Sequence, residues 1–304
     1  MQVQQSMGKI GLGHFMAFVT VAIWGSTFVF TKMLLLNGLS PAQIFTLRFI
    51  IAYALLLAFE MLTRWQSFRL FSTSWRDEGV MLLLGVSGGS LYFLTENAAM
   101  LYTTATNTSL IVCSCPLFTM LLMALVYRKS ERFTSTQVIG SLLACAGMAA
   151  VVLNGHFVLH LSPLGDTLAL SACLCWAVYS LLIKLVMERY STFFITRKVF
   201  FYGLLSILPY YILYPGFPSF DVIFSSQVIW NLLFLSVVAS MVCFLVWNWV
   251  IYQLGAVVAT NWVYFNPITT ILFAWWLLDE QITPWFILGT ALILIGMYLC
   301  EKRE

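Results

Sequence analysis

The chain has 304 residues, of which 61% are hydrophobic and 9% charged, and its mean hydropathy is +0.92. A soluble domain carries about 25% charged residues, and no single core at this length can hide so apolar a chain. A soluble enzyme, a disordered protein and a secreted disulfide scaffold are therefore excluded, and the net charge of +3 without a basic tract offers nucleic acid no footing.

The long continuous apolar runs predict an α-helical polytopic membrane protein rather than a β-barrel, whose strands alternate over segments of about ten residues. In chain order the predicted spans are 12–34, 42–62, 78–99, 103–127, 136–153, 165–187, 194–214, 228–252, 257–278 and 285–300. The first run exceeds a signal-peptide core of roughly 7–15 residues, so it reads as a retained helix. Pro41, Pro163 and Pro284 each stand just before a predicted helix, where the missing N–H is harmless. The cysteines (Cys113, Cys115, Cys145, Cys173, Cys175, Cys243 and Cys300) have neither disulfide nor zinc spacing and read as small packing residues. His156 and His160 lack a third metal ligand and read as part of a solvated loop.

Lysine and arginine set the orientation. With both termini cytoplasmic, Lys9, Arg64, Arg69, Arg76, Arg128, Lys129, Arg132, Lys184, Arg189, Arg197, Lys198, Lys302 and Arg303 all face the cytoplasm. Lys32 and Arg48 fall inside the first two spans.

The two halves resemble each other. Trp24 stands eight residues before Lys32, and Trp176 eight before Lys184. Asn97 precedes Pro116 by 19 residues, as Asn248 precedes Pro267. Gly140 and Gly147 in the first half answer Gly289 and Gly296 in the second. Residues 1–154 and 155–304 thus read as two repeats. Five spans is an odd number, so the second copy enters the membrane from the opposite side. Secondary transporters commonly use such inverted repeats, because exchanging the conformations of the halves gives alternating access.

These residues also carry a family pattern. Trp24-Gly25-Ser26-Thr27-Phe28 with Lys32, then Leu47-Arg48-Phe49, resembles the start of an EamA-type member of the drug/metabolite transporter superfamily. Ala105 through Pro116 to Glu131, with Gly140 and Gly147, resembles the end of one EamA repeat. Leu254-Gly255-Ala256, Asn266-Pro267, Asp279-Glu280 and Gly289 to Gly296 resemble the end of a second, although Trp176-Ala177 replaces Trp-Gly at its start. The resemblance implies a ten-helix transporter of small metabolites, often an exporter of amino acids or related compounds. It also implies a central cavity lined by helices 1, 3 and 4 and their mates 6, 8 and 9, with the fifth and tenth helices as support.

Polar groups inside a membrane face a cavity or a partner. By depth, Lys32, Arg48 and Glu96 share the outer third of the bilayer. Glu96 is either a substrate or proton-coupling group or an ion-pair partner of Lys32 or Arg48. Lys32 either snorkels outward or meets a substrate carboxylate. Arg48 suits a bidentate carboxylate contact, but a peripheral second helix favours a structural pair. Asn97 and Asn248 either bond across helices or line the cavity, and Asn107, Asn261 and Asn266 pose the same question. Trp24, Tyr92, Tyr179, Trp247, Trp262 and Tyr264 are candidate cavity walls, about half of which should miss it. Pro116 and Pro267 lie within predicted helices and serve as kinks, either widening the cavity or bending for gating. The glycines of the fifth and tenth helices read as packing surfaces.

The expected function is a secondary transporter of small, amphipathic or aromatic metabolites in the bacterial inner membrane. A facilitative or exchange carrier is the alternative. The expected partners are a small-molecule substrate, the lipid bilayer and, if transport is coupled, protons. No cofactor is expected. No HExxH or GxSxG pattern supports the rival, a membrane-embedded enzyme.

Overall fold

A computed structural model describes residues 2–65, 68–103, 105–126, 134–153, 162–214, 216–278 and 284–301. His156, His160, Arg128, Lys129, Glu131, Arg132, Asp279, Glu280, Lys302, Arg303 and the side chain of Asn107 lie outside the described residues.

Among the described residues the regular structure is all helix, joined by short turns and a non-helical stretch at 68–74. It comprises α1 (Gln2–Leu36), α2 (Pro41–Thr63), α3 (Trp75–Tyr102), α4 (Ala105–Val112), α5 (Cys115–Val126), α6 (Ser135–Leu153), α7 (Pro163–Leu182), α8 (Thr192–Leu213), the short α9 (Phe220–Ile223), α10 (Ser226–Leu254), α11 (Ala256–Asn261), α12 (Asn266–Leu278) and α13 (Pro284–Glu301). Among the described residues, seven helical stretches are long and apolar enough to cross a membrane: Lys9–Leu36, Pro41–Thr63, Trp75–Tyr102, Pro163–Leu185, Thr192–Leu213, Ser226–Leu254 and Ala256–Phe273. Three shorter apolar helices are Cys115–Val126, Ser135–Ala150 and Ile287–Cys300. Exposed Phe15, Leu121 and Ile212 belong to an apolar outer surface that suits lipid.

Local signals start several helices. Ser40 caps α2 in a full capping box with Gln43, and Pro41 takes the first turn. Ser162 caps α7 by accepting from the Gly165 N–H, with Pro163 in the first turn, and Ser191 caps α8. Gly255, at φ +83°, turns the chain from α10 into α11, a conformation that favours glycine.

Two predicted helices are not continuous. The segment predicted as 103–127 breaks at Cys113 and Ser114, and 257–278 passes through a 3₁₀ turn at Trp262–Phe265. Pro116 and Pro267 are accordingly not interior residues of long helices. Each is the second residue of the half-helix that follows, where proline needs no donor. The Cys173 thiol donates to Ile111 O at 3.0 Å, satisfying a carbonyl at the first break.

The order of elements recurs in the second half. α3 carries a π-helical stretch at Val86–Leu91, and α10 carries one at Phe234–Val242. These stretches end just before Tyr92 and Cys243, which are spaced as Asn97 and Asn248 are. Cys115 and Asn266 open the post-break helices at the same spacing.

α6 and α13 pack with almost no side chain between them. A Cβ on Gly147 would stand 2.7 Å from Gly289 O, one on Gly140 2.7 Å from Gly296 O, and one on Gly296 2.5 Å from Ala144 N. A backbone cannot yield as a flexible side chain does. Gly147→Ala is therefore expected to lower stability in detergent by about 1–3 kcal/mol. Gly11→Ala, in α1 with nothing within 4 Å, should instead raise it slightly through helix propensity. Thermal unfolding of the two variants gives the comparison, and shifts of the same sign would refute it.

Candidate functional site

The centre of the bundle holds a narrow cavity lined by side chains from both halves of the chain. Trp24, Thr27 and Phe28 reach it from α1, Arg48 from α2, and Tyr92, Phe93 and Glu96 from α3. Val112 and Cys115 flank the α4–α5 break, and Trp176 and Phe244 come from α7 and α10. Val263 and Asn266 complete the lining at the second break.

The walls are aromatic. Trp24 meets Trp176 edge to face at 5.5 Å, and Tyr92 lies 5.1 Å from Trp176. Trp247 stands behind this wall, 4.9 Å from Trp24, and does not line the cavity. Helix approach here depends on Gly25, whose Cβ would fall 1.8 Å from Thr269 Oγ1 and 2.8 Å from Asn266 O. Its counterpart Ala177 is buried and accommodates its methyl group, which explains why the second half tolerates Trp-Ala.

Among the described residues the three charges form no direct ion pair, although Arg48 and Glu96 attract each other across the cavity. Glu96 is 8% exposed and its Oε1 accepts from the Tyr92 hydroxyl at 2.8 Å. Its other oxygen has no partner among the described residues. Lys32 donates instead to Met100 O at 2.9 Å, near the C-terminal end of α3 where helix carbonyls attract a cation. Lys32 therefore stands outside the lining. Arg48 is 3% exposed; its Nε donates to Ser240 Oγ at 2.5 Å and to Leu235 O at 3.2 Å. Its guanidinium lies 4.7 Å from the centre of the Phe93 ring. The two terminal nitrogens hold no bond among the described residues. The expectation of a peripheral second helix is corrected here: α2 packs against the π-helical stretch of α10, and the long Arg48 side chain crosses into the cavity.

The asparagines divide. Asn266 lines the cavity, and its Oδ1 is buried without a partner. Asn97 and Asn248 bond across helices: Asn97 to Pro41 O at 3.4 Å, and Asn248 to Thr196 Oγ1 at 2.9 Å while accepting from the Tyr179 hydroxyl at 2.5 Å. Asn261, Tyr179 and Tyr264 are buried away from the lining, and Trp262 donates to His14 Nδ1 at 3.2 Å.

Of the predicted cavity residues, Trp24, Tyr92, Glu96 and Asn266 therefore meet at one site, joined by Arg48, which was expected as an ion-pair or coupling residue. Trp176, Phe93, Phe244, Val112, Cys115 and Val263 belong to the lining without having been predicted there. The internal spacing held a usable signal, since Trp176 mirrors Trp24, Phe244 mirrors Phe93 and Val263 mirrors Val112. Four such mirrored pairs, counting Cys115 with Asn266, make the cavity largely symmetric. Arg48, Tyr92 and Glu96 break that symmetry, because Tyr92 and Glu96 have Cys243 and Trp247 as counterparts.

A second group of charges lies at the end of the bundle where α2 ends and α8 begins. Arg197 pairs with Glu60 at 2.6 Å, Arg189 with Asp77 at 2.9 Å, and Lys198 with Glu78, which also accepts from the Tyr202 hydroxyl. Arg197 further donates to Arg69 O and lies over the Phe68 ring. Counted by the positive-inside rule, these bases read only as cytoplasmic flanking charges.

Comparison with known proteins places the chain in context. The model of the EamA-like transporter family matches residues 11–153 and again 163–300. An "Uncharacterized transporter" of Archaeoglobus fulgidus is 26% identical over 96% of this chain and 98% of its own length. The "Probable amino-acid metabolite efflux pump" of Salmonella typhimurium is 28% identical over 94% of this chain and 93% of its own. The "Probable terminal-alkyne amino-acid exporter" of Streptantibioticus cattleyicolor is 26% identical over 75% of this chain and 74% of its own. A solved crystal structure shares the fold with a TM-score of 0.72 at 18% identity, covering 95% of this chain and 97% of that one.

Proposed function

We propose that this chain, which belongs to the EamA-like transporter family, is an alternating-access exporter of small zwitterionic amino acids or closely related compounds with apolar or aromatic side chains. One observation carries the reading. A guanidinium with two nitrogens and a carboxylate with one oxygen that hold no bond among the described residues line the same aromatic cavity. Arg48 would take the substrate carboxylate through two parallel bonds. Glu96, held by Tyr92, would take the ammonium group. Trp24, Trp176 and Phe244 would cover the side chain, and Asn266 Oδ1 would offer one more acceptor.

The movement follows from ten helices arranged as two five-helix repeats of opposite orientation, residues 1–154 and 155–304, with both termini cytoplasmic. The seven long apolar helices and three shorter ones support that count. The matching π-helical stretches and helix breaks support the repeat. Exchange of conformations between the halves would then open the cavity alternately to either side. The bacterial inner membrane is the setting this reading implies. The export direction rests on the names of the efflux relatives.

Counterflow in proteoliposomes tests the proposal. Radiolabelled L-phenylalanine, L-leucine and L-methionine should exchange above empty vesicles, whereas N-acetyl-phenylalanine and phenethylamine, each lacking one charge, should compete at least about tenfold more weakly. Glu96→Gln should weaken binding of the zwitterion by a similar factor. Equal competition by all three phenyl compounds would sink the two-charge reading. An imposed pH gradient separates a second role for Glu96: flux that follows the gradient, and ceases to follow it in Glu96→Gln, assigns proton coupling to this carboxylate.

A further inference from the structure

The π-helical stretch of α10, Phe234–Val242, lies outside the cavity lining yet holds two side chains that form it. Arg48, from α2, donates through Nε to both Leu235 O and Ser240 Oγ. Trp24, from α1, donates through its indole nitrogen to Ala239 O at 2.9 Å. All three acceptors fall within the one stretch, and Leu235, Ala239 and Ser240 are fully buried. A π turn is wider than an α turn and holds an extra residue, and here its carbonyls accept side-chain donors from two other helices. Such stretches are rare and gather at functional sites.

We infer that Ser240 is a positioning residue for the cavity, and that the π register of α10 holds Arg48 and Trp24 in their places. With its Nε tied back, the Arg48 guanidinium cannot rotate about its own stem, and its terminal nitrogens keep one aim. If α10 relaxes to a regular α register, Leu235 O and Ala239 O shift relative to α1 and α2. Ser240 moves off the Arg48 side, and both tethers go together. Helix α10 thus carries a lever over a charge contributed by α2. The inference builds on the reading of Arg48 as the substrate carboxylate anchor, but the positioning itself can be tested without any substrate.

The test uses the full-length protein in detergent with arginine and tryptophan labelled with ¹⁵N. The Arg48 Nε–H and Trp24 indole N–H signals are assigned from Arg48→Lys and Trp24→Phe. In the native chain the Arg48 Nε–H should exchange slowly with water. Ser240→Ala should speed that exchange about tenfold or more and leave the Trp24 signal in place, while Ser240→Thr, which keeps the hydroxyl, should restore slow exchange. Deletion of Val238, which removes the extra residue of the π turn, should shift both signals. The other indole signals report whether each variant remains folded. Unchanged exchange in Ser240→Ala, or a Val238 deletion that folds and moves neither signal, would overturn the inference. Ser240→Ala should also raise KM for L-phenylalanine about fivefold with kcat unchanged, and add nothing in an Arg48→Ala background. Fast exchange with an unchanged KM would uphold the positioning and remove Arg48 from substrate binding, so the two readings fail separately.

Discussion

Arg48→Ala is expected to lower kcat/KM for zwitterionic substrate by about two orders of magnitude, with most of the loss in KM. Truncating a buried, hydrogen-bonded charge at a binding surface costs roughly 2–5 kcal/mol, and 1.4 kcal/mol is about a factor of ten. Arg48→Lys should recover little. A lysine has no Nε to meet Ser240 Oγ and Leu235 O, and its single ammonium cannot form two parallel bonds. Folding should survive, because among the described residues no carboxylate bonds Arg48 directly: Glu96 accepts from Tyr92 and feels Arg48 only across the cavity. Arg48→Met, which keeps the bulk without the charge, should therefore unfold near the native temperature while failing to bind. Transport by Arg48→Met at the native KM would remove this residue from the substrate.

Arg48 also marks what the sequence could and could not reveal. The class of fold was legible, because backbone groups in lipid must bond internally and long apolar runs therefore have to be helices. The spacing of Asn97 and Pro116, repeated at Asn248 and Pro267, carried over into equivalent π-helical stretches and helix breaks. The small residues of α6 and α13 announced their close packing, since only glycine lets two backbones approach so nearly. Side-chain direction was not legible. Depth alone put Lys32, Arg48 and Glu96 at one level and invited an ion pair. The structure sends Lys32 to the end of α3 and ties Arg48 to α10, and neither partner is near in sequence. A π turn leaves no clear trace in the order of residues. The aromatic wall was half legible: Trp24 and Tyr92 were recognisable, but Trp176 required carrying the first half's pattern across to the second.

The buried charges at the far end of the bundle yield the largest effect expected on stability. Lys198→Met should destabilise the protein by about 3–5 kcal/mol, the usual result of leaving one member of a buried pair without its partner. Glu78 is 8% exposed, and the open hollow it lines with Phe71, Ser72 and Trp75 lets water replace only part of what the ammonium group supplied. Its remaining donors, the Tyr202 hydroxyl and the backbone N–H of Ser72, are neutral. The double variant Lys198→Met, Glu78→Leu should regain most of the loss, since an apolar pair of similar size often replaces a buried ion pair without penalty. Thermal unfolding in detergent gives the cycle, and a double variant no more stable than Lys198→Met would show that the pair is not the coupled unit. The layout gives the cycle a second meaning. Glu60, Asp77 and Glu78 come from the first half of the chain, whereas Arg197, Arg189 and Lys198 come from the second. All three bonds therefore tie one half to the other at this end, while the cavity charges Arg48 and Glu96 form no direct ion pair among the described residues. Movement of the halves that opens this end must break these bonds, so an apolar replacement that restores stability should also change the rate of counterflow. An unchanged rate would leave the three pairs as fasteners on a face that stays closed.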